Sequence, residues 1–362
     1  MSHHEQRRLR NSRSRWRQRF LARWLAAAAA CVLAVARVAG ASASGSDIRT
    51  TATLNPANLA KRGPFRTTVV YEDWRDDSRQ RTLPVRITRP ADPSGTYPVV
   101  LFSHGLGGSR DAGSLWAEHW ASHGYLVVHL QHPGSDESLW KNREGNPLEN
   151  LKQGMNARQL AVRVEDVRFA LAELNRRCAA AQPALAGADP SRVCMTGHSF
   201  GAQTTQAVAG QRFLFPMAAQ RELTTTTLKA AIAFSPNARG TAGNLDRRFG
   251  SINMPFLSLT GTNDTVPQLS DQPASDRLLP YQHMPPGGKV LVNFEGADHM
   301  VFGGHHLRRA ETPLDRAVQE DVKALTLAFL NAHLRGDTNA GKWLSSGAAA
   351  RSLQAKAEFF AK

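Results

Sequence analysis

From about residue 67 onward, short apolar runs alternate with longer segments whose apolar positions recur every three or four residues. Thr67–Tyr71 and Thr82–Thr88 are rich in β-branched residues and predict two early strands, paired antiparallel. Pro98–Ser103, Tyr125–Leu130, Arg192–Thr196, Leu228–Phe234, Pro255–Leu259 and Lys289–Phe294 predict further strands. Most of these are apolar throughout rather than alternating, which is the pattern of strands covered on both faces. Arg110–Ser122, Asn156–Arg177, Ala202–Ala209 and Leu314–Leu334 predict helices, the second with Leu160, Val164, Val167, Leu171 and Leu174 on one face. Strands alternating with helices predict an α/β domain over 67–335, with a mostly parallel central sheet and helices on both faces. Four long polar stretches, 134–155, 212–227, 237–253 and 266–288, predict loops at the carboxyl ends of the strands, and none is long enough for a large cap domain. The Ala-rich tail, 336–362, predicts a peripheral helix.

The 362 residues carry a formal net charge of +15, which raises the question of a nucleic-acid partner. Most of the excess is local. Residues 1–40 hold nine arginines, no lysine and one acid, or +8, which leaves 36 basic against 29 acidic residues elsewhere. A remainder of +7 is an ordinary basic surface, and no nucleic-acid role is expected. The leader has the order of an export signal: a basic stretch from Arg7 to Arg23, an apolar stretch from Leu25 to Val35, then small residues ending in Ala41-Ser42-Ala43. Residues 1–43 are therefore expected to be a signal peptide, 44–66 an N-terminal extension, and the protein periplasmic or secreted. No later apolar run reaches the roughly 18 residues that span a bilayer, so no stable membrane insertion of the mature chain is expected. Beyond the leader only Cys178 and Cys194 remain, and the sequence leaves open whether they are bridged.

The sharpest chemical signal is Gly197-His198-Ser199-Phe200-Gly201, between a predicted strand and a predicted helix. That context is required of a nucleophile elbow, in which a serine sits on a strained strand-to-helix turn and glycines two residues either side relieve crowding. A serine hydroxyl is a poor nucleophile and needs a base. Asp264 follows the strand Pro255–Leu259, and His299 follows Lys289–Phe294. The chain order Ser199, Asp264, His299 is that of an α/β-hydrolase, with His299 as base and Asp264 orienting it. Asp298 adjoins His299, but neighbouring residues in a turn rarely face each other, so Asp264 is preferred. His305 and His306 follow no strand directly. The oxyanion hole needs two aimed N–H donors. Phe200, directly after the nucleophile, supplies one. The loop His104-Gly105-Leu106-Gly107-Gly108 supplies the other, from Leu106. Trp140, Met300 and Phe302 are candidates to line the acyl pocket. No metal-ligand spacing and no phosphate-cradling loop occurs, so hydrolysis without a metal or cofactor is expected.

Leu101–Gly108, Gln131-His132-Pro133-Gly134-Ser135, Gly197–Gly201 and Gly296–Phe302 together resemble secreted bacterial α/β-hydrolases of the predicted dienelactone hydrolase and platelet-activating-factor acetylhydrolase-like group. The resemblance covers roughly residues 65–335 and implies a serine esterase acting on a small-molecule carboxylic ester. It departs at one position: dienelactone hydrolases carry cysteine at the elbow, where this chain has Ser199. Two other readings stay open, a serine peptidase or amidase on the same fold and a non-catalytic binding module.

Overall fold

The computed structural model describes residues 55–141, 144–213, 228–304 and 310–362. The expected signal peptide, residues 44–54 of the extension, and His305 and His306 lie outside the described residues. Among the described residues nine strands form one sheet: β1 (Thr67–Asp76), β2 (Arg81–Pro90), β3 (Tyr97–Ser103), β4 (Leu126–Leu130), β5 (Ala188–His198), β6 (Leu228–Phe234), β7 (Phe256–Asn263), β8 (Lys289–Asp298) and β9 (Ala357–Ala361). The helices are α1 (Pro56–Ala60), α2 (Ser114–Ser122), α3 (Pro147–Gly154), α4 (Ala157–Ala179), α5 (Phe200–Val208), α6 (Ala242–Phe249), α7 (Leu279–Gln282), α8 (Pro313–Leu334), α9 (Thr338–Ser345) and α10 (Ala348–Ser352).

The strand order is β1-β2-β4-β3-β5-β6-β7-β8-β9. β1, β2 and β4 pair antiparallel, the strands from β4 to β8 in that order pair parallel, and β9 pairs antiparallel with β8. The parallel strands are apolar throughout because each is covered twice. On one side Trp116 and Trp120 of α2 and Val322, Leu325 and Phe329 of α8 pack against Phe102, Ile232, Phe234 and Leu257. On the other, Val164, Val167, Leu171 and Leu174 of α4 pack against Val99, Leu101, Leu126 and Val128. The order reverses at β3, whose two parallel neighbours are β4 and β5. In an open α/β sheet that reversal leaves a crevice at the carboxyl ends of the strands. The loop after β3 and the turn after β5 both open there.

Five expectations are corrected. The tail 336–362 is two short helices and an edge strand, so the sheet runs on past residue 335. It is tied down at Asp321 of α8, whose carboxylate accepts the backbone N–H groups of Gln354 and Ala355 at 2.8 to 3.0 Å. Helix α2 starts at Ser114, not Arg110, because Gly113 before it is left-handed at φ 77°. The loop 134–155 contains α3, which begins where the Asn146 side chain caps it and Pro147 takes the first helical position. The stretches 237–253 and 266–288 likewise contain the short helices α6 and α7. Cys178 and Cys194 are free thiols, Cys194 facing the core from β5.

Four histidines, His104, His119, His129 and His132, are buried within or beside this packing. His129 stacks on Phe102 with ring centroids 4.9 Å apart, and its Nδ1 bonds the Ala112 carbonyl at 2.9 Å. Burial pushes the pKa of His119 down to about 3, with nearby His123 and Lys323 adding to it. Burial and Arg86 push His129 to about 3. Burial holds His132 to about 4 despite a bond to Asp166, and holds His104 well below the usual range. The native state therefore keeps these rings neutral at pH values where the unfolded chain, with ordinary histidine pKa values of about 6.5, takes up protons. Their stabilisation is complete above about pH 6.5 and is lost as the pH falls toward the native values. The unfolding free energy from urea titration is expected to drop steeply between pH 6.5 and 4.5, by up to about 1.4 kcal/mol per pH unit for each ring. His129→Gln should flatten that slope by about one proton. An unchanged slope in the variant would contradict the assignment.

Candidate active site

β5 ends at His198, and the chain turns sharply into α5. Ser199 sits on the turn at φ 57° and ψ −115°, a strained conformation for a residue with a Cβ. The turn is held from both sides. The Ser199 N–H bonds the Phe234 carbonyl at the end of β6 at 3.0 Å, and the Ser199 carbonyl accepts from Ala202 and Gln203 at 2.9 and 3.2 Å. The flanking glycines are required by close approach. A Cβ on Gly201 would fall on the carbonyl of Ser103, and one on Gly197 would fall on the backbone of Gly201. Ser199 itself is partly exposed at the crevice. Phe200 is the first residue of α5, so its N–H has no acceptor within the helix.

Asp264 and His299 lie in the turns that follow β7 and β8, and the fold brings them together. The Asp264 Oδ1 accepts from His299 Nδ1 at 2.6 Å, and its Oδ2 accepts from the Thr260 hydroxyl at 2.8 Å. Arg277 Nε lies 3.2 Å from Asp264 Oδ1 and donates to the Asp264 carbonyl at 3.1 Å, while its Nη1 donates to the Ser235 carbonyl at 3.1 Å. Burial alone would raise the Asp264 pKa. His299, Arg277 and the Ser235 hydroxyl outweigh it and hold the carboxyl well below the ordinary range. With Nδ1 donating to Asp264, the His299 lone pair is on Nε2. The His299 carbonyl in turn accepts from His198 Nε2 at 3.0 Å, and the two rings lie 4.6 Å apart. The imidazole is thereby fixed beside the residue that immediately precedes Ser199. Asp298 faces elsewhere: its carboxylate accepts the N–H groups of Met300 and Val301 at 2.9 and 3.2 Å and closes the turn.

The loop after β3 meets the elbow from the other side. A Cβ on Gly105 would sit 3.4 Å from the Ser199 Cβ, so the Gly105–Leu106 backbone lies against Ser199. Trp140 is 44% exposed and lies over this loop, its Nε1 donating to the Gly107 carbonyl at 2.7 Å. Met300 is half-buried in the turn after His299. Phe302 does not line the site: it is wholly buried, packs on Phe294 at 6.2 Å, and its carbonyl accepts from Trp116 Nε1 at 3.0 Å. Among the described residues no cluster of potential metal ligands occurs, and no helix is long and apolar enough to cross a membrane.

Two groups of residues beside the site went unassigned in the sequence. Arg277 comes from the polar stretch 266–288, where no periodicity marks it. Beneath the loop after β3 lies a buried network in which the Ser103 hydroxyl meets His132 Nε2 at 2.9 Å and His132 Nδ1 meets Asp166 at 2.9 Å. It has the residue types of a catalytic triad, but all three side chains are wholly buried, so no substrate reaches them. Arg163 joins this network from α4. One signal was present: Arg163 and Asp166, with Glu173 further on, are charges set into the buried and mostly apolar face of α4.

Crowding at the elbow separates two glycines that look alike in sequence. Gly201→Ala should lower the melting temperature by more than about 6 °C or prevent folding, since the new methyl meets backbone rather than a movable side chain. Gly105→Ala, whose methyl would make only ordinary contacts, should shift it by less than about 2 °C. Equal melting temperatures for the two variants would contradict the packing described.

Residues 77–177 match the family model for platelet-activating factor acetylhydrolase, isoform II. The match runs from the end of β1 through α4 and includes the loop after β3, His132 and Arg163, but stops before Ser199. Cutinase 1 of Thermobifida cellulosilytica is 23% identical over 210 residues, 58% of this chain and 62% of the cutinase. The chain thus spans less than two thirds of the length of the curated relative it matches. The sheet order and the elbow after β5 are those of the α/β-hydrolase fold, and both likenesses agree with that fold.

Proposed function

We propose that the protein is a serine carboxylic-ester hydrolase that works through an acyl-enzyme. The observation that carries the proposal is the 2.6 Å contact between Asp264 and His299, with the His299 carbonyl bonded to His198 beside Ser199. In this reading His299 Nε2 removes the proton from Ser199 Oγ as the oxygen attacks the ester carbonyl. The oxyanion that forms is bound by the N–H groups of Phe200 and Leu106. Collapse of the tetrahedral species expels the alcohol, which takes the proton held on His299. A water activated by His299 then attacks the acyl-Ser199 ester, releasing the acid and restoring the serine. Asp264 keeps the imidazole in the required tautomer and stabilises the imidazolium that forms in both halves.

Substrates with short acyl groups or small esters fit best. Among the described residues the insertion at 134–155 contributes one eight-residue helix and no cap domain. Trp140 beside the loop after β3, and Met300 beside His299, are the proposed acyl and alcohol contacts. The relatives named above point to the same bond type, since an acetylhydrolase and a cutinase are both ester hydrolases. The Arg-rich leader supports action outside the cytoplasm.

Ser199→Ala should lower kcat on p-nitrophenyl acetate by at least about 10⁴-fold and abolish labelling by a fluorophosphonate. Asp264→Asn should fold normally and lose about 10⁴-fold in kcat, because the amide presents the wrong partner to His299 Nδ1. Along a p-nitrophenyl ester series, kcat/KM should fall as the acyl chain lengthens. Preference for an aminoacyl anilide over every ester would overturn the ester reading in favour of an amidase, and full activity in Ser199→Ala would overturn both.

A further inference from the structure

We propose that Arg163 is a positioning residue for the oxyanion hole: from beneath the site it fixes the peptide that carries the Leu106 N–H and the ring of the residue that carries the other donor, Phe200. The inference rests on the esterase reading above.

Arg163 is wholly buried on α4. Burying a guanidinium costs several kcal/mol unless its donors are satisfied, and here they are. Nε donates to the Ser135 hydroxyl at 2.8 Å and Nη2 to the Ser135 carbonyl at 3.1 Å. Nη1 donates to the His104 carbonyl at 2.6 Å and reaches the Ser103 hydroxyl at 3.4 Å, and Nη2 reaches the Gly105 carbonyl at 3.4 Å. Two successive carbonyls of the loop after β3 therefore point at one cation. In a trans peptide the N–H lies opposite the carbonyl. With the Gly105 carbonyl held toward Arg163, the Leu106 N–H is turned away from it, on the proposed substrate side. The face of the guanidinium lies 4.4 Å from the centre of the Phe200 ring. One charged group thus touches both segments whose N–H groups would form the hole.

The surrounding groups keep that cation and the loop in one arrangement. The His132 N–H donates to His104 Nε2 at 3.0 Å, which leaves His104 Nδ1 to donate to the Gly105 carbonyl at 2.6 Å, so that with Arg163 and the Gly108 N–H at 3.1 Å three donors hold the same oxygen. His132 presents its Nε2 lone pair to the Ser103 hydroxyl because its Nδ1 faces Asp166. Asp166 is anchored by Arg79 and Arg81 at 2.9 and 2.7 Å, and its negative charge opposes the cost of burying Arg163. A neutral side chain of the same length at 163 would satisfy neither loop carbonyl.

The test compares wild type with Arg163→Met, Arg163→Lys and Ser135→Ala, with active sites counted by fluorophosphonate titration. Per titrated site, Arg163→Met is expected to lose roughly 100-fold in kcat on p-nitrophenyl acetate with KM within about threefold of wild type. Its Ki for a trifluoromethyl ketone, which mimics the oxyanion, should rise by about the same factor. Arg163→Lys, which keeps the charge but not the fork, should recover part of both losses. Ser135→Ala, which removes one anchor of the guanidinium, should show the same paired losses at a few-fold each, and it carries the test if Arg163→Met does not fold. If Arg163 only supports the fold, the variants lower the fraction of titratable sites and the melting temperature while kcat per site and the ketone Ki stay at wild-type values, and the proposal fails. Failure of the esterase reading is a separate outcome: wild type itself would neither turn over the ester nor take the label at Ser199.

Discussion

The site depends on one close approach. The backbone after β5 crosses the backbone after β3 so tightly that Gly201 lies on the Ser103 carbonyl. That crossing occurs where the strand order reverses, so it draws two loops from neighbouring strands to the same point. The strain at Ser199 is the local consequence. A residue with a Cβ is held at positive φ because its N–H is committed to β6 and its carbonyl to the first turn of α5. The partly exposed Ser199, the Phe200 N–H with no acceptor in its own helix and the nearby Gly105–Leu106 backbone follow from the same geometry.

Two arginines flank this crossing, and they do different things. Arg277 binds the Asp264 carboxylate and the carbonyls around it, so that the acid stays ionised and aimed at His299. Arg163 binds carbonyls of the other loop and touches Phe200. In the proposed mechanism one cation lies on the side of the site that would handle the proton, and the other on the side where negative charge would develop on the substrate. Both are nearly or wholly buried, so water screens neither strongly. Their fields act on backbone and carboxylate groups that are already held in place, which is the condition under which electrostatic stabilisation is largest.

The strands and the long helices were legible because burial on both faces leaves unbroken apolar runs, as in Pro98–Ser103 and Leu228–Phe234, and because α4 and α8 repeat their apolar positions regularly. The elbow and its partners were legible because steric crowding forces glycine at 197 and 201, and because Asp264 and His299 each follow a strand. Other parts depend on contacts distant in the chain. Strand β9 is short and bears an exposed Phe360, and it is a strand only because β8 offers it an edge and Asp321 holds Gln354 and Ala355. Phe302 follows His299 closely enough in sequence to suggest the pocket, yet the turn closed by Asp298 directs it into the core beside Trp116. Arg163 makes its bonds to residues 28 to 60 positions earlier, and nothing in its own helix names them.

The central claim is that Ser199, His299 and the two backbone N–H groups act on one ester carbonyl. A crystal structure of the phosphonate adduct tests it most directly. Phosphorus is expected on Ser199 Oγ, with its oxygen within about 2.7 to 3.1 Å of the Phe200 and Leu106 nitrogens, and His299 Nε2 within hydrogen-bond reach of Oγ. An adduct on another residue, or a phosphonyl oxygen turned away from both nitrogens, would contradict it.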